Sequence, residues 1–264
     1  MKETIARLWR SRALVSNLAR RELRARYRGS VLGFLWSILN PLLLLAIYSV
    51  VFTAVFTPRA DVRPYPLFLF GGVLAWSFLS SSILDAAETF KTNGPLLRKA
   101  VVSPEVFPGV AVLAQAFHFL WALPVLAAAT LYFRFAGAVR VGWAALQLAP
   151  VMLLLGAAVL GASLFVSAVS VHFQDVRNLL QNVLTFWFFA TPVIYSVDGV
   201  PGRFRFWLRL NPAAAYFEGI HESIFAGRPI SGRDWAAMAV VSVVAISIGG
   251  AVFSRLRDSI AEEA

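Results

Sequence analysis

The chain has 264 residues, of which 59% are hydrophobic and 14% charged, against roughly 45–50% apolar and about 25% charged in a soluble domain. Its mean hydropathy is +0.70, so lipid is the expected solvent, and the formal charge of +10 sits mainly in one terminal block, which points to membrane topology rather than nucleic acid. There is no cysteine, which excludes a disulfide framework, a thiolate metal site and a cysteine nucleophile.

Residues 1–28 carry nine basic side chains, Lys2, Arg7, Arg10, Arg12, Arg20, Arg21, Arg24, Arg26 and Arg28. Between them Ile5, Leu8, Trp9, Val15, Leu18 and Leu23 recur at mostly three- to four-residue spacing. The pattern predicts an arginine-rich amphipathic helix in a membrane interface; a disordered basic tail is the alternative. This stretch lacks the apolar core and small-residue cleavage site of a signal peptide, so the spans themselves are expected to direct insertion.

Apolar runs then predict six spans, at 31–56, 65–84, 110–133, 141–171, 179–195 and 235–253. Asn40-Pro41 is expected to kink the first. A short outer loop is expected at 57–64. An inner loop at 91–108 is broken by Gly94, Pro95, Pro104 and Pro108, with a short helix around 96–102. An outer turn at 134–140 and an inner turn at 172–178 follow. The stretch 196–234 contains a run, 213–225, too short and too charged to cross a bilayer; Asn211 as N-cap and Pro212 at the first helical position would start a helix there. A pair of half-helices dipping back into the outer leaflet fits this stretch, and so does an outer loop with one surface helix. Of the 24 Lys and Arg, 15 fall in segments assigned to the inside, which puts both termini in the cytoplasm. The fold class is therefore all-α: residues 1–28 form an interface helix and 29–264 a single six-span domain.

The chain has no GxxxxGK[ST], GxSxG or HExxH pattern, so it carries no ATPase site of its own and no catalytic residues are assigned. His118, His172 and His221 are too scattered for a ligand cluster, and no metal is expected. Asp85/Glu88 and Glu218/Glu222 lie at helical spacing and read as charges at membrane edges or in an outer loop rather than as acid/base pairs.

Four local patterns discriminate further. They are Arg26-Tyr-Arg-Gly-Ser-Val-Leu-Gly-Phe-Leu-Trp36 running into Asn40-Pro41; Asn93-Gly-Pro-Leu-Leu-Arg-Lys99 followed by Pro104 and Pro108; Phe173-Gln-Asp-Val-Arg177 with Thr191-Pro-Val-Ile-Tyr195; and Leu210-Asn-Pro212 with Tyr216-Phe-Glu-Gly-Ile220. In this order the chain resembles the membrane subunits of type-2 ABC exporters for polysaccharides and polyol phosphates, from about residue 20 to 255. It departs from that family's pattern at Pro95 and at Val101-Val102-Ser103.

The resemblance implies a homodimer working with two copies of a separate ABC ATPase, which holds the ATP and Mg; no cofactor belongs to this chain. It implies a coupling helix at 91–105, with Asn93, Gly94, Leu96, Leu97, Arg98 and Lys99 meeting the ATPase. Outer gate helices would occupy 196–234, with Asn211, Pro212, Tyr216 and Glu218. The first and fifth spans would line a channel between subunits, and Trp36, Tyr48, Phe52, Phe56, Trp187, Phe188 and Tyr195 are its candidate lining. Aromatic faces stack on sugar rings and permit sliding, although such residues also anchor at interfaces and pack between helices. Arg24, Arg26 and Arg28 could receive a lipid pyrophosphate or anchor to anionic headgroups. The implied function is export of a lipid-linked polysaccharide, O-antigen first, across the cytoplasmic (inner) membrane. A membrane-embedded glycosyl or lipid transferase, an exporter of small lipophilic molecules and an ion-driven carrier are the competing readings. The last usually needs charged residues at mid-membrane, which spans one, three, five and six lack.

Overall fold

Every regular element among the described residues is a helix. The computed structural model describes residues 7–8, 10, 11–26, 30, 32–51, 64–99, 103–139, 142–173 and 175–263. In chain order the helices are α1 (Arg12–Arg26), α2 (Trp36–Val50), α3 (Tyr65–Lys99), α4 (Val106–Phe135), α5 (Leu148–Ser170), α6 (Val176–Ala190), α7 (Gly202–Leu210), α8 (Ala214–His221) and α9 (Gly232–Glu263).

Four stretches are long and apolar enough to cross a bilayer: Tyr65–Gly94, Val106–Phe135, Trp143–Ser170 and Gly232–Arg257. These match the expected second, third, fourth and sixth spans. Helices α2 and α6 have 15 residues each, about 22 Å at 1.5 Å per residue, short of a hydrocarbon core of about 30 Å. The sequence stays apolar to Tyr195, but α6 stops at Ala190. Pro192 disfavours helical geometry at the residue before it, and Thr191 is extended, with φ −106° and ψ 143°.

The segment expected as an inner loop differs most from the sequence reading. Helix α3 does not end near Leu84; it continues as one helix of 35 residues to Lys99, through Gly94 and Pro95. A single proline removes one helix hydrogen bond, which this long, well-packed helix tolerates. Helix α4 then starts at Val106, so Pro108 sits in its first turn, where an N–H would have no intrahelical acceptor. Of the eighteen residues expected as a loop, 91–99 and 106–108 are therefore helical.

Helix α1 is rich in Arg, Leu and Ala, all strong helix formers. Its Val15 and Ala19 are buried against Val106 and Val110 of α4, so the basic block is a docked helix over Arg12–Arg26 and not a tail. The main core joins α3, α4, α5, α8 and α9 through residues such as Phe70, Phe78, Leu155, Phe217 and Met238. A second cluster of Phe90, Phe107, Leu164, Phe253 and Ile260 lies toward the end of the bundle where α1 docks, called the basic end below.

Helices α5 and α9 cross with almost no side chain between them. A Cβ on Gly249 would lie 1.9 Å from the Gly161 oxygen, and one on Gly161 would lie 2.3 Å from the Ala245 carbonyl carbon. Small residues spaced four apart, Ala245 and Gly249, allow this close approach. Other helix faces remain apolar and uncovered. Leu179, Val183, Phe186 and Phe189 of α6 are 51–78% exposed. A face of that kind needs lipid or another protein surface against it.

Candidate functional site

The far end of the bundle is organised around Asn211. Its backbone is extended, with φ −70° and ψ 119°, and its side chain reaches back to the end of α6. Oδ1 accepts the Ala213 N–H and the Trp187 indole N–H, each at 2.9 Å, while Nδ2 donates to the Ala190 carbonyl and the Thr191 hydroxyl, each at 2.9 Å. Every donor and acceptor site of the carboxamide is in use. Asn211 therefore closes the turn before α8 and fastens α6 to it; the helix N-cap is Ala213, two residues beyond the Asn211 expected from the sequence. Regular helix begins at Ala214, just past Pro212.

Neighbouring contacts fix the same corner against α3. The Tyr65 hydroxyl donates to the Ile194 carbonyl at 2.6 Å, and a Cβ on Gly72 would lie 2.5 Å from the Val193 oxygen. Only glycine at position 72 admits the Val193 carbonyl this close. The Trp187 and Phe188 rings meet Trp76 of α3 edge-on, at 5.8 and 5.5 Å. Tyr216 is buried, with its hydroxyl 2.8 Å from both the Met238 carbonyl and the Ser242 hydroxyl. It anchors α8 to α9.

Between α6 and α7 lies an open cleft of about 590 Å³, walled by Trp187, Phe189, Tyr195, Phe204 and Trp207 and floored by Asn211. The sequence reading named Trp187, Tyr195 and Asn211 from this set but missed Phe204 and Trp207. The signal was present: in Gly202–Leu210 arginines alternate with Phe, Trp and Leu over one short amphipathic helix. Trp36 and Tyr48 are half-buried on α2, away from the cleft. Phe52, Phe56 and Arg28, and the side chains of Arg26, Leu96, Arg98 and Lys99, lie outside the described residues.

An acidic group sits behind the cleft on α8. Burial, with Asp234 and Glu222 close by, pushes the Glu218 carboxyl up to about 7, against the pull of Arg209. Burial also raises the Glu222 carboxyl, which pairs with Arg228 at 3.3 Å. His221 stacks on Phe68 with ring centroids 3.7 Å apart, and burial holds its imidazole down to about 3, so it is neutral.

The basic end has its own hub. Glu105, in the turn between α3 and α4, is 1% exposed. Its Oε1 lies 3.6 Å from the Arg7 guanidinium before α1 and 3.3 Å from that of Arg257 near the end of α9. One carboxylate thus joins the N-terminal block, the α3–α4 turn and the C-terminal helix. Sequence reading passed over it; a lone acid in an otherwise basic segment was the available signal. Close by, Arg177 at the start of α6 bonds Glu88 at 2.5 Å, and Gln115 donates to Asp85 at 2.5 Å. Asp85 and Glu88 thus meet different partners. Asn93 donates to the Thr89 carbonyl at 2.9 Å within its own helix. Gly94 is buried, Leu97 packs on the Phe90 cluster, and Arg24 is exposed.

Long apolar helices, uncovered apolar faces and a basic end define a multi-pass membrane protein. The chain matches the ABC-2 type transporter family over residues 13–225 and belongs to that family. It is 31% identical to the O-antigen export system permease protein RfbA of Myxococcus xanthus over 264 residues, covering 99% of each chain. The protein of the same name from Klebsiella pneumoniae is 28% identical, with 99% and 98% covered. The polysialic acid transport protein KpsM of Escherichia coli is 24% identical over 249 residues, with 90% and 92% covered.

Proposed function

We propose that this chain is the permease subunit of an ABC exporter that moves a lipid-linked polysaccharide, O-antigen first, across the cytoplasmic membrane. The end-to-end likeness to O-antigen export permeases carries the reading. It is a transport subunit, and ATP with Mg is bound and hydrolysed on a separate ABC ATPase, two copies to a permease homodimer.

In this reading α2 and α6 complete six spans, and both termini face the cytoplasm, where most Lys and Arg lie. The exposed apolar faces of α2 and α6 support a subunit interface enclosing the path. Helices α7 and α8 form a re-entrant gate over its outer end, held by Asn211, Pro212 and Tyr216, with Glu218 behind. Sugar rings slide over Trp36, Tyr48, Phe52, Phe56, Trp187, Phe188 and Tyr195, with weak repeated stacking in place of one tight site. Arg24, Arg26 and Arg28 receive the anionic lipid end of the cargo. The segment 91–105, including Asn93, Gly94, Leu96, Leu97, Arg98 and Lys99, meets the ATPase. Closure of the ATPase dimer on ATP displaces that segment, and Glu105 passes the displacement to the N- and C-terminal helices, so the spans move as rigid bodies.

The coupling assignment is tested by replacing residues 96–99 with Ser and co-purifying the ATPase. Stimulation of ATP hydrolysis by the permease is expected to vanish while the permease still folds and dimerises. Unchanged stimulation in a folded variant would sink the assignment.

A further inference from the structure

One side of α7 plays no part in the export reading. Gly202, Arg205, Phe206, Arg209 and Leu210 follow one another at intervals of three, one, three and one, which is a single stripe along a helix. With Arg233, in the first turn of α9, they enclose an open hollow of about 350 Å³ at the end of the bundle opposite the basic end. Two separate elements thus bring three guanidiniums to one place. A Cβ on Gly202 would meet nothing within 4 Å, so this wall of the hollow is open.

The chain does not neutralise this charge itself. Arg177, Arg228 and Arg257 each pair with a carboxylate, whereas among the described residues none of Arg205, Arg209 and Arg233 does. Arg205 is held by backbone: its Nε donates to the Val200 carbonyl at 2.8 Å and its Nη2 to the Asp198 carbonyl at 2.7 Å, which positions the charge without cancelling it. Arg209 acts on the Glu218 carboxyl of α8 through space, without an ion pair. Asp234, beside Arg233, accepts the Ser231 hydroxyl at 2.7 Å. Like charges gathered in a hollow repel, and together they focus their field on an anion placed between them. Along the same stripe Phe206 and Leu210 are 62% and 60% exposed. Exposed apolar side chains alternating with arginines mark a helix that lies in a membrane interface. Guanidiniums and bare apolar groups in one hollow match an anionic head with hydrocarbon attached; a free anion would have no use for the apolar half.

We propose that this hollow binds the phosphate of a lipid in the leaflet opposite the basic end, with Arg209 and Arg233 on the phosphate oxygens and the adjoining hydrocarbon against Phe206 and Leu210. Each guanidinium offers a phosphate two parallel N–H donors, and Arg205 adds charge from its fixed position. Two amphiphiles present this chemistry. One is an anionic phospholipid of the leaflet itself, which would moor α7 in the interface. The other is the phosphorylated lipid end of an exported glycan, held as it arrives beside the gate. This second source rests on the export reading; the site itself does not.

The chain has no cysteine, so Gly202→Cys places one environment-sensitive fluorophore at the hollow, at a position with free space around it. The labelled full-length chain in detergent is titrated with phosphatidylglycerol, undecaprenyl phosphate, phosphatidylcholine and inorganic phosphate. No ATPase or polymer is needed, so the result is independent of whether the chain exports a glycan. A saturable response to at least one of the two anionic lipids is expected, about fivefold or more tighter than to phosphatidylcholine. Tighter binding of undecaprenyl phosphate assigns the site to the cargo, and tighter binding of phosphatidylglycerol assigns it to the leaflet. Arg209→Gln and Arg233→Gln, both at exposed positions, should each lower that affinity about fivefold, with Lys at either position restoring most of it. Arg203→Gln, outside the hollow, should change nothing. Equal affinity for phosphatidylcholine and both anionic lipids overturns the proposal, as does unchanged affinity in the Arg209→Gln/Arg233→Gln double variant. A response to inorganic phosphate as tight as to the lipids overturns it too, because the apolar half would then have no role.

Discussion

The indole N–H of Trp187 and the Oδ1 of Asn211, 2.9 Å apart, close a bond between residues 24 positions apart. The Asn211 amide turns to the same helix end, so one side chain holds the junction of α6 with the outer helix pair. Asn211→Leu leaves the Ala190 carbonyl, the Trp187 N–H and the Ala213 N–H without these partners. A fully buried unsatisfied group costs about 1–3 kcal/mol; these are part-buried, so each should cost less. A clear drop in thermal unfolding temperature in detergent is expected, with export reduced. Trp187→Phe removes one bond and keeps the packing on Trp76, so a loss of about 0.5–1.5 kcal/mol is expected. Equal losses from the two variants would contradict the hub role of Asn211.

Glu105 should behave as a shared clamp. Breaking a fully buried ion pair costs about 3–5 kcal/mol, but Arg7 and Arg257 are each one-third exposed, so Glu105→Gln should cost less than that. Arg257→Gln added to Glu105→Gln should then cost little more, because the pair is already broken. A double-mutant cycle on unfolding in denaturant measures this, and strict additivity would contradict the clamp.

The acidic group on α8 predicts a pH dependence with opposing slopes. Glu218 has its carboxyl raised to about 7 from an ordinary 4.5, so the folded state holds a proton that the unfolded chain releases; stability is lost as pH rises from about 4.5 to 7. His221 is lowered to about 3 from 6.5, so its contribution runs the other way, and stability is lost as pH falls below about 6.5. The two nearly cancel between 4.5 and 6.5. From 6.5 to about 7.5 the glutamate slope stands alone, and stability should fall. Glu218→Gln should remove most of that fall in thermal scans at pH 6.5 and 7.5.

At the α5–α9 crossing, Gly249→Ala places a methyl group 1.9 Å from a backbone oxygen. The helices must separate along their length, and overpacking of this kind costs about 1–3 kcal/mol or more. Folded yield in membranes should drop sharply. Gly232→Ala meets nothing within 4 Å and should be silent.

Much of this fold was legible because lipid imposes simple rules. Runs of apolar residues gave the long helices α3, α4 and α9 within a few residues at their outer ends, and α5 with a start seven residues late, at Leu148; arginine with interleaved Leu and Val gave α1. The 91–108 segment was misread because Gly94, Pro95 and Pro108 were weighed as breakers without regard to position; a proline in a first helical turn, or one proline in a helix packed along its length, does not end it. The cleft was half legible. Asn211 announced itself through the adjacent proline, whereas its bonds to Trp187 and Ala190 join residues more than twenty positions apart, which periodicity does not register. Glu105 shows the same limit: its partners lie at the two extremes of the chain.

The central claim is that this chain, with an ABC ATPase, carries a lipid-linked polysaccharide across the membrane. The direct measurement is reconstitution of the permease with its ATPase into proteoliposomes loaded with lipid-linked O-antigen, followed by access of an external glycan-cleaving enzyme. The account predicts that the glycan becomes accessible only when both proteins and hydrolysable ATP are present, and that Asn211→Leu slows its appearance. Translocation by the permease alone without ATP, or none under the complete conditions with a folded complex, would contradict it.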